Sequence, residues 1–148
     1  AVSAPARKTG FQEEQFGAVF FYDISSLKGS YSLYGIENLV VLQGDDKYAR
    51  FGSSVVFDQS KASSNSSWWV TQPRRKFNEE NQEAGAVFRW DGDEIPFYPR
   101  DPLKADECWS STHGRVRFAE TIHFADVDGN GISDVFLASP RWGDELTG

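Results

Sequence analysis

Apolar residues along this chain come in short runs. Each run is cut by a polar stretch rich in Gly, Asp, Asn or Ser. Within the runs, apolar and polar positions alternate with a period near two, and Val, Phe, Tyr and Trp are frequent. That pattern predicts half-buried β-strands rather than amphipathic helices. Strands are expected over 17–22, 37–43, 49–57, 67–70, 84–90, 95–98, 115–124 and 134–138. The turn Asp91-Gly92-Asp93 separates the fifth from the sixth. Helix signals are nearly absent, with a single short turn expected over 26–31. The polar segments 60–67, 74–83 and 141–148 read as loops.

The pattern repeats. A small residue and a proline stop an apolar run at Ser3-Ala4-Pro5, Thr71-Gln72-Pro73 and Ala138-Ser139-Pro140, and the prolines lie 68 and 67 residues apart. Gly17-Ala18-Val19-Phe20 returns as Gly85-Ala86-Val87-Phe88, offset by 68. Arg50-Phe51-Gly52 returns as Arg117-Phe118-Ala119, offset by 67. Three independent markers thus share one period. A period of this length suits a sheet of about four strands, since strands average about 5–6 residues. The expected fold is all-β: about two blades' worth of a β-propeller built from four-stranded antiparallel blades. Residues 1–47 form the second half of one blade plus its connection. Residues 48–114 form a complete blade, and 115–148 the first half of the next. Apolar faces carrying Phe20, Val40, Val56, Val87, Phe124, Phe136, Trp68 and Trp69 then need cover. Of the adjacent pair, one ring belongs in the sheet packing and the other on a neighbouring blade. The chain is therefore expected not to stand alone, its partners being the remainder of a parent propeller or further copies of itself.

Candidate chemistry concentrates at Asp126-Val127-Asp128-Gly129-Asn130-Gly131-Ile132-Ser133-Asp134. Side-chain oxygens fall at loop positions one, three, five and nine, with glycines where the backbone must turn. Calcium takes six to eight hard oxygen ligands in a tolerant geometry. Asp126, Asp128, Asn130, the Ile132 carbonyl and Asp134 are the candidate ligands, and three carboxylates this close repel one another without a cation. An EF-hand needs a glutamate at position twelve, whereas this chain has Leu137 there, inside an apolar run. A loop between two strands is expected instead. The bland alternative is an Asp/Gly turn with no ion.

Net charge is −7, which disfavours a nucleic-acid backbone as partner and agrees with cation binding. No run of 18 apolar residues occurs, so no transmembrane segment is expected. The chain opens on Ala1-Val2-Ser3-Ala4-Pro5, without a starting Met or a charged leader, as in a processed chain or an excised fragment. Cys108 is the one cysteine. It has a partner elsewhere, is a free thiol, or is a small buried side chain. Asn65-Ser66-Ser67 is a glycosylation sequon, which makes Asn65 a candidate site and lends weak support to secretion.

These markers resemble the FG-GAP repeat, which builds the propeller of integrin α subunits and of secreted glycosylphosphatidylinositol-specific phospholipases D. Phe51-Gly52 matches the element that opens a strand, and Phe118-Ala119 departs from it by one residue. Asp126, Asp128, Asn130 and Asp134 match the calcium loop, with Asn130 where the family has an Asp. Ser3-Ala4-Pro5 and Ala138-Ser139-Pro140 resemble Gly-Ala-Pro with other small residues, and Gly17 and Gly85 match the later Gly-Ala-Val strand. The run Arg50-Phe51-Gly52-Ser53-Ser54 is closest to the phospholipase type. The resemblance implies a calcium-binding, extracellular propeller. Shifted by 67, the calcium ligands fall on Gln59, Lys61, Ser63 and Ser67, so the middle repeat is expected to bind no metal.

Other chemistry finds little support. His113 and His123 lack metal-binding spacing, and His123 reads as a structural strand residue. No nucleophile elbow or phosphate-cradling loop occurs. Arg74-Arg75-Lys76 is a basic triplet that reads as a solvated loop, with a lipid head group or an acidic partner as the alternative. No catalytic site is expected in this chain. The leading expectation is a non-catalytic calcium-binding segment of a larger extracellular protein, serving recognition or scaffolding through a protein or glycolipid ligand. The alternatives are the propeller of a phospholipase D whose zinc domain lies outside these residues, and part of an integrin α-like adhesion receptor.

Overall fold

The computed structural model describes residues 1–6, 15–21, 40–59, 66–80, 82–92 and 105–141. The strand expected over 95–98, the turn over 26–31, Asn65 and most of the loops 60–67 and 141–148 lie outside the described residues. Among the described residues nine strands are present: β1 (Val2–Ala4), β2 (Ala18–Phe21), β3 (Val40–Gln43), β4 (Val55–Asp58), β5 (Ser67–Gln72), β6 (Ala86–Asp91), β7 (Glu107–Ser110), β8 (Thr121–Ala125) and β9 (Asp134–Ala138). No helix occurs among the described residues.

The strands form three antiparallel sheets, ordered β1-β2-β3, β4-β5-β6-β7 and β8-β9. Neighbouring strands are consecutive among these nine, and among the described residues no sheet closes on itself. The fold is all-β, a propeller-like row of antiparallel blades.

The 67-residue period seen in the sequence is a period of the structure. Moving β2 forward by 68 places it on β6, and moving β3 by 67 places it on Glu107–Ser110, which is β7. Moving β4 by 67 gives Ile122 to Ala125, inside β8. The hydrogen bonds repeat as well. Gly44 N donates to Gly17 O at 3.1 Å and Ser111 N to Gly85 O at 3.3 Å; Tyr48 N donates to Gln15 O at 2.6 Å and Arg115 N to Gln82 O at 2.7 Å.

Two expected strands start later than the hydrophobic pattern indicated. The run 49–57 yields a strand only from Val55, and 115–124 only from Thr121. Positive φ angles explain both. Tyr48, Arg50 and Gly52 have φ of 61°, 61° and 83°; their counterparts Arg115, Arg117 and Ala119 have 61°, 52° and 57°. An extended strand cannot run through left-handed residues. These segments are coiled corners that deliver Phe51 and Phe118 against the preceding blade. At that contact Gly17 (φ 80°) and Gly85 (φ 88°) leave no room for a side chain. A Cβ on Gly17 would lie 2.3 Å from Phe51 O, and one on Gly85 2.4 Å from Phe118 O. The two conserved-in-period markers, Gly-Ala-Val and Arg-Phe, are therefore the two halves of one backbone-to-backbone contact.

Side chains of the central sheet point alternately to its two neighbours. On one face Val70, Ala86, Phe88 and Trp90 join Val19, Phe21, Leu42 and Phe51 in a buried core, with Val55 and Trp68 against it. On the other, Trp69 and Val87 meet Ala119 and Ile122, flanked by Val56, Phe118, Phe124 and Leu137. Both rings of the adjacent pair therefore cover a neighbouring sheet. Trp68 meets Phe21 edge-on at 4.9 Å, and Trp69 meets Phe124 at 5.4 Å. Among the residues expected to need cover, Val87 and Trp69 are buried while Phe136 remains exposed.

Candidate metal centre

β8 and β9 pair in register, with Ala125 opposite Asp134. The polar segment 126–133 is therefore the connection of a hairpin, in keeping with a loop between two strands. Gly129 and Gly131 have φ of 74° and 84°, which lets the loop reverse twice over a few residues. The reversal folds the carboxylates inward. Asp126, Asp128 and Asp134 each bring an oxygen within 4.8 Å of the other two.

Backbone amides hold this arrangement. Asp126 accepts from Asn130 N at 3.0 Å and Gly131 N at 2.8 Å. Asp134 reaches back across the loop and accepts from Val127 N at 3.0 Å. Asp128 accepts from Asn130 N at 3.1 Å and from Asn130 Nδ2 at 2.9 Å. Asn130 Oδ1 in turn accepts from Ile132 N at 2.7 Å. All five candidate residues thus belong to one hydrogen-bonded loop. Three like charges at this separation repel by about 1 kcal/mol per pair in a water-like dielectric, and the amides offset part of that.

The donor set fits a hard cation. Its atoms are carboxylate, amide and carbonyl oxygens, without sulfur or imidazole, and five such groups leave room for water among the six to eight ligands calcium takes. Asp126, Asp128 and Asn130 are exposed and Asp134 is half-buried, so an ion would enter directly from solvent. The counterpart loop of the middle repeat falls largely outside the described residues. His123 sits exposed on β8, the strand that leads into the loop, and is not among the converging groups.

A second polar constellation ties the first two sheets together, pairing Arg75 of the basic triplet with Asp45. Arg75 Nε and Nη2 donate to Asp45 Oδ2 at 3.1 and 2.8 Å, and the guanidinium lies over the Phe88 ring at 5.6 Å. Burial works against the charge of Arg75. The hydrogen bond and the charge of Asp45 outweigh it and hold the pKa above its ordinary value. Arg75 therefore belongs to an ion pair and not to a free basic patch. Cys108 on β7 is a free, exposed cysteine. Desolvation around its sulfur, aided by Asp45, raises the thiol pKa, while Arg75 pulls it down. The signal that would have found β7 was available: it is β3 moved by one period. A scan of protein-family models gives no match to this chain, and a search of curated proteins gives none either.

Proposed function

We propose that this chain is a calcium-binding, non-catalytic propeller segment of FG-GAP type, serving recognition or scaffolding in a larger extracellular protein. The observation that carries the reading is the convergence of Asp126, Asp128 and Asp134 in a hairpin loop held by its own amides. Asp126, Asp128, Asn130, the Ile132 carbonyl and Asp134 would hold the ion. Bound calcium would neutralise the clustered carboxylates and fix the turn between β8 and β9. The FG-GAP reading draws support from the periodic contact between the Gly-Ala-Val strand and the Arg-Phe corner. An affinity of about 10⁻⁴–10⁻³ M, the range of extracellular calcium modules, would suit the extracellular setting of this reading.

The test is a calorimetric calcium titration of the 148-residue chain, beside a variant carrying Asp126→Asn and Asp134→Asn. One site in the native chain and none in the variant supports the proposal. No binding at millimolar calcium, or two equivalent sites, refutes it.

A further inference from the structure

Asn130-Gly131 is the one Asn-Gly step in the chain. An asparagine before glycine is the least hindered setting for cyclisation of a side-chain amide onto the next backbone nitrogen, because glycine carries no Cβ beside the attacking atom. In this loop the hydrogen bonds also suit that reaction atom by atom. Asn130 Oδ1 accepts from Ile132 N at 2.7 Å. The ring closed by this bond contains both Asn130 Cγ and Gly131 N, the two atoms that would join, and it folds the side chain back over the peptide. The same bond polarises the oxygen on which negative charge gathers when Cγ is attacked. The attacking group, Gly131 N–H, donates to Asp126 Oδ2 at 2.8 Å. The leaving atom, Asn130 Nδ2, donates to Asp128 Oδ2 at 2.9 Å. Asn130 and Gly131 are exposed, so water reaches both.

Asn78 offers a contrast within the same chain. Its Oδ1 accepts from Glu80 N at 3.0 Å, the same kind of bond, and it too is exposed. The residue that follows is Glu79, whose side chain crowds the nitrogen.

We infer that Asn130 is a self-modification site, its side chain cyclising onto Gly131 N and being hydrolysed by water to aspartate and isoaspartate. In the first step the bond between Gly131 N and Asn130 Cγ forms, and the N–H proton leaves along the bond to Asp126 Oδ2. The Cγ–Nδ2 bond then breaks, and Nδ2 takes up a proton and departs as ammonia. Water adds next to a carbonyl of the cyclic imide. Breaking the new N–Cγ bond gives aspartate at position 130. Breaking the bond from Gly131 N to the main-chain carbonyl carbon gives isoaspartate. One water is consumed and one ammonia released, with no change of oxidation state. The loop prepares the reaction by holding its atoms together before it begins. Either product adds a carboxylate beside Asp126, Asp128 and Asp134 and removes the Nδ2 donor that Asp128 holds. The inference does not rest on the calcium reading.

The test incubates the 148-residue chain at neutral pH with EDTA in water labelled with heavy oxygen, and follows each asparagine by peptide mapping and mass spectrometry. Position 130 should take up one labelled oxygen as ammonia is released, at least tenfold faster than position 78. A peptide copying residues 124–136, which has the dipeptide without the fold, should react at least threefold more slowly than the chain. Asp126→Asn should slow the chain at least threefold while its circular dichroism stays unchanged. Comparable rates at positions 130 and 78, or a peptide that reacts as fast as the chain, would overturn the inference. So would an Asp126→Asn chain that keeps its circular dichroism and reacts at the native rate. If that variant loses its fold, the comparison of chain with peptide decides.

Discussion

The contact that sets the period offers the sharpest mutational test. Gly85 lies with φ at 88°, its N–H donating to Arg75 O at 3.0 Å and its carbonyl accepting from Ser111 N at 3.3 Å. Replacing it with alanine imposes two costs. A left-handed backbone costs a residue with a Cβ about 1–2 kcal/mol. The new Cβ would also lie 2.4 Å from Phe118 O and 2.5 Å from Phe118 N. These are backbone atoms that no rotamer change can move, so the corner must shift, at a further cost of about 1–3 kcal/mol typical of overpacking. Gly129→Ala is the internal control, because Gly129 has φ of 74° and no atom within 4 Å of the new Cβ. It carries the backbone cost alone. Urea unfolding in calcium-free buffer, followed by tryptophan fluorescence, should therefore place Gly85→Ala below Gly129→Ala by about 1–3 kcal/mol. Hydrogen exchange at Arg115, Arg117 and Phe118, whose amides bond Gln82, Glu83 and Ala84, should rise in the first variant only. Equal stabilities for the two variants would refute the idea that a backbone contact locks one blade to the next.

Three further outcomes follow from the packing. Trp69 and Phe136 occupy equivalent places, yet Trp69 is 7% exposed and Phe136 46%. Trp69→Ala should cost about 3–5 kcal/mol and Phe136→Ala under about 1 kcal/mol in the same unfolding assay. Gln72 is fully buried, and its amide has no hydrogen-bond partner among the described residues. Gln72→Met should therefore be neutral or stabilising by about 1–3 kcal/mol, the cost of an unsatisfied buried group; a clear loss of stability would mean that the amide is satisfied. Alkylation of Cys108 by iodoacetamide should reach half its maximal rate at a higher pH than a free thiol does, because desolvation favours the protonated form. The thiol's contribution to stability is full below its unfolded pKa and is lost as pH rises through the folded one.

Much of this was legible in the residues. The strands 17–22, 67–70, 84–90 and 134–138 were readable because their apolar alternation matches the pleat, and both faces of β5 are buried as the adjacent Trp68 and Trp69 imply. The beginnings of β4 and β8 were not readable from hydropathy, since Ala49, Phe51 and Val116 are buried, and Phe118 half-buried, in a coiled corner rather than in a strand. Burial gives such residues the same apolar signature in either setting, and only their positive φ angles separate the two. β7 was missed because Glu107, Cys108, Trp109 and Ser110 all lie exposed on an edge and lack alternation; the period would have supplied it. The ligand spacing of the Asp loop anticipated which carboxylates converge. It did not reveal the amide bonds from Val127, Asn130 and Gly131 that hold them. The pair Arg75–Asp45 was hidden because its partners are 30 residues apart and lie in connections that follow strands of different sheets.

A crystal structure of the 148-residue chain grown in millimolar calcium tests the central claim most directly. The expected result is one ion in the β8–β9 loop at about 2.3–2.6 Å from oxygens of Asp126, Asp128, Asn130, Asp134 and the Ile132 carbonyl. An empty loop at that concentration, or Asp134 turned away from Asp126 and Asp128, would contradict it.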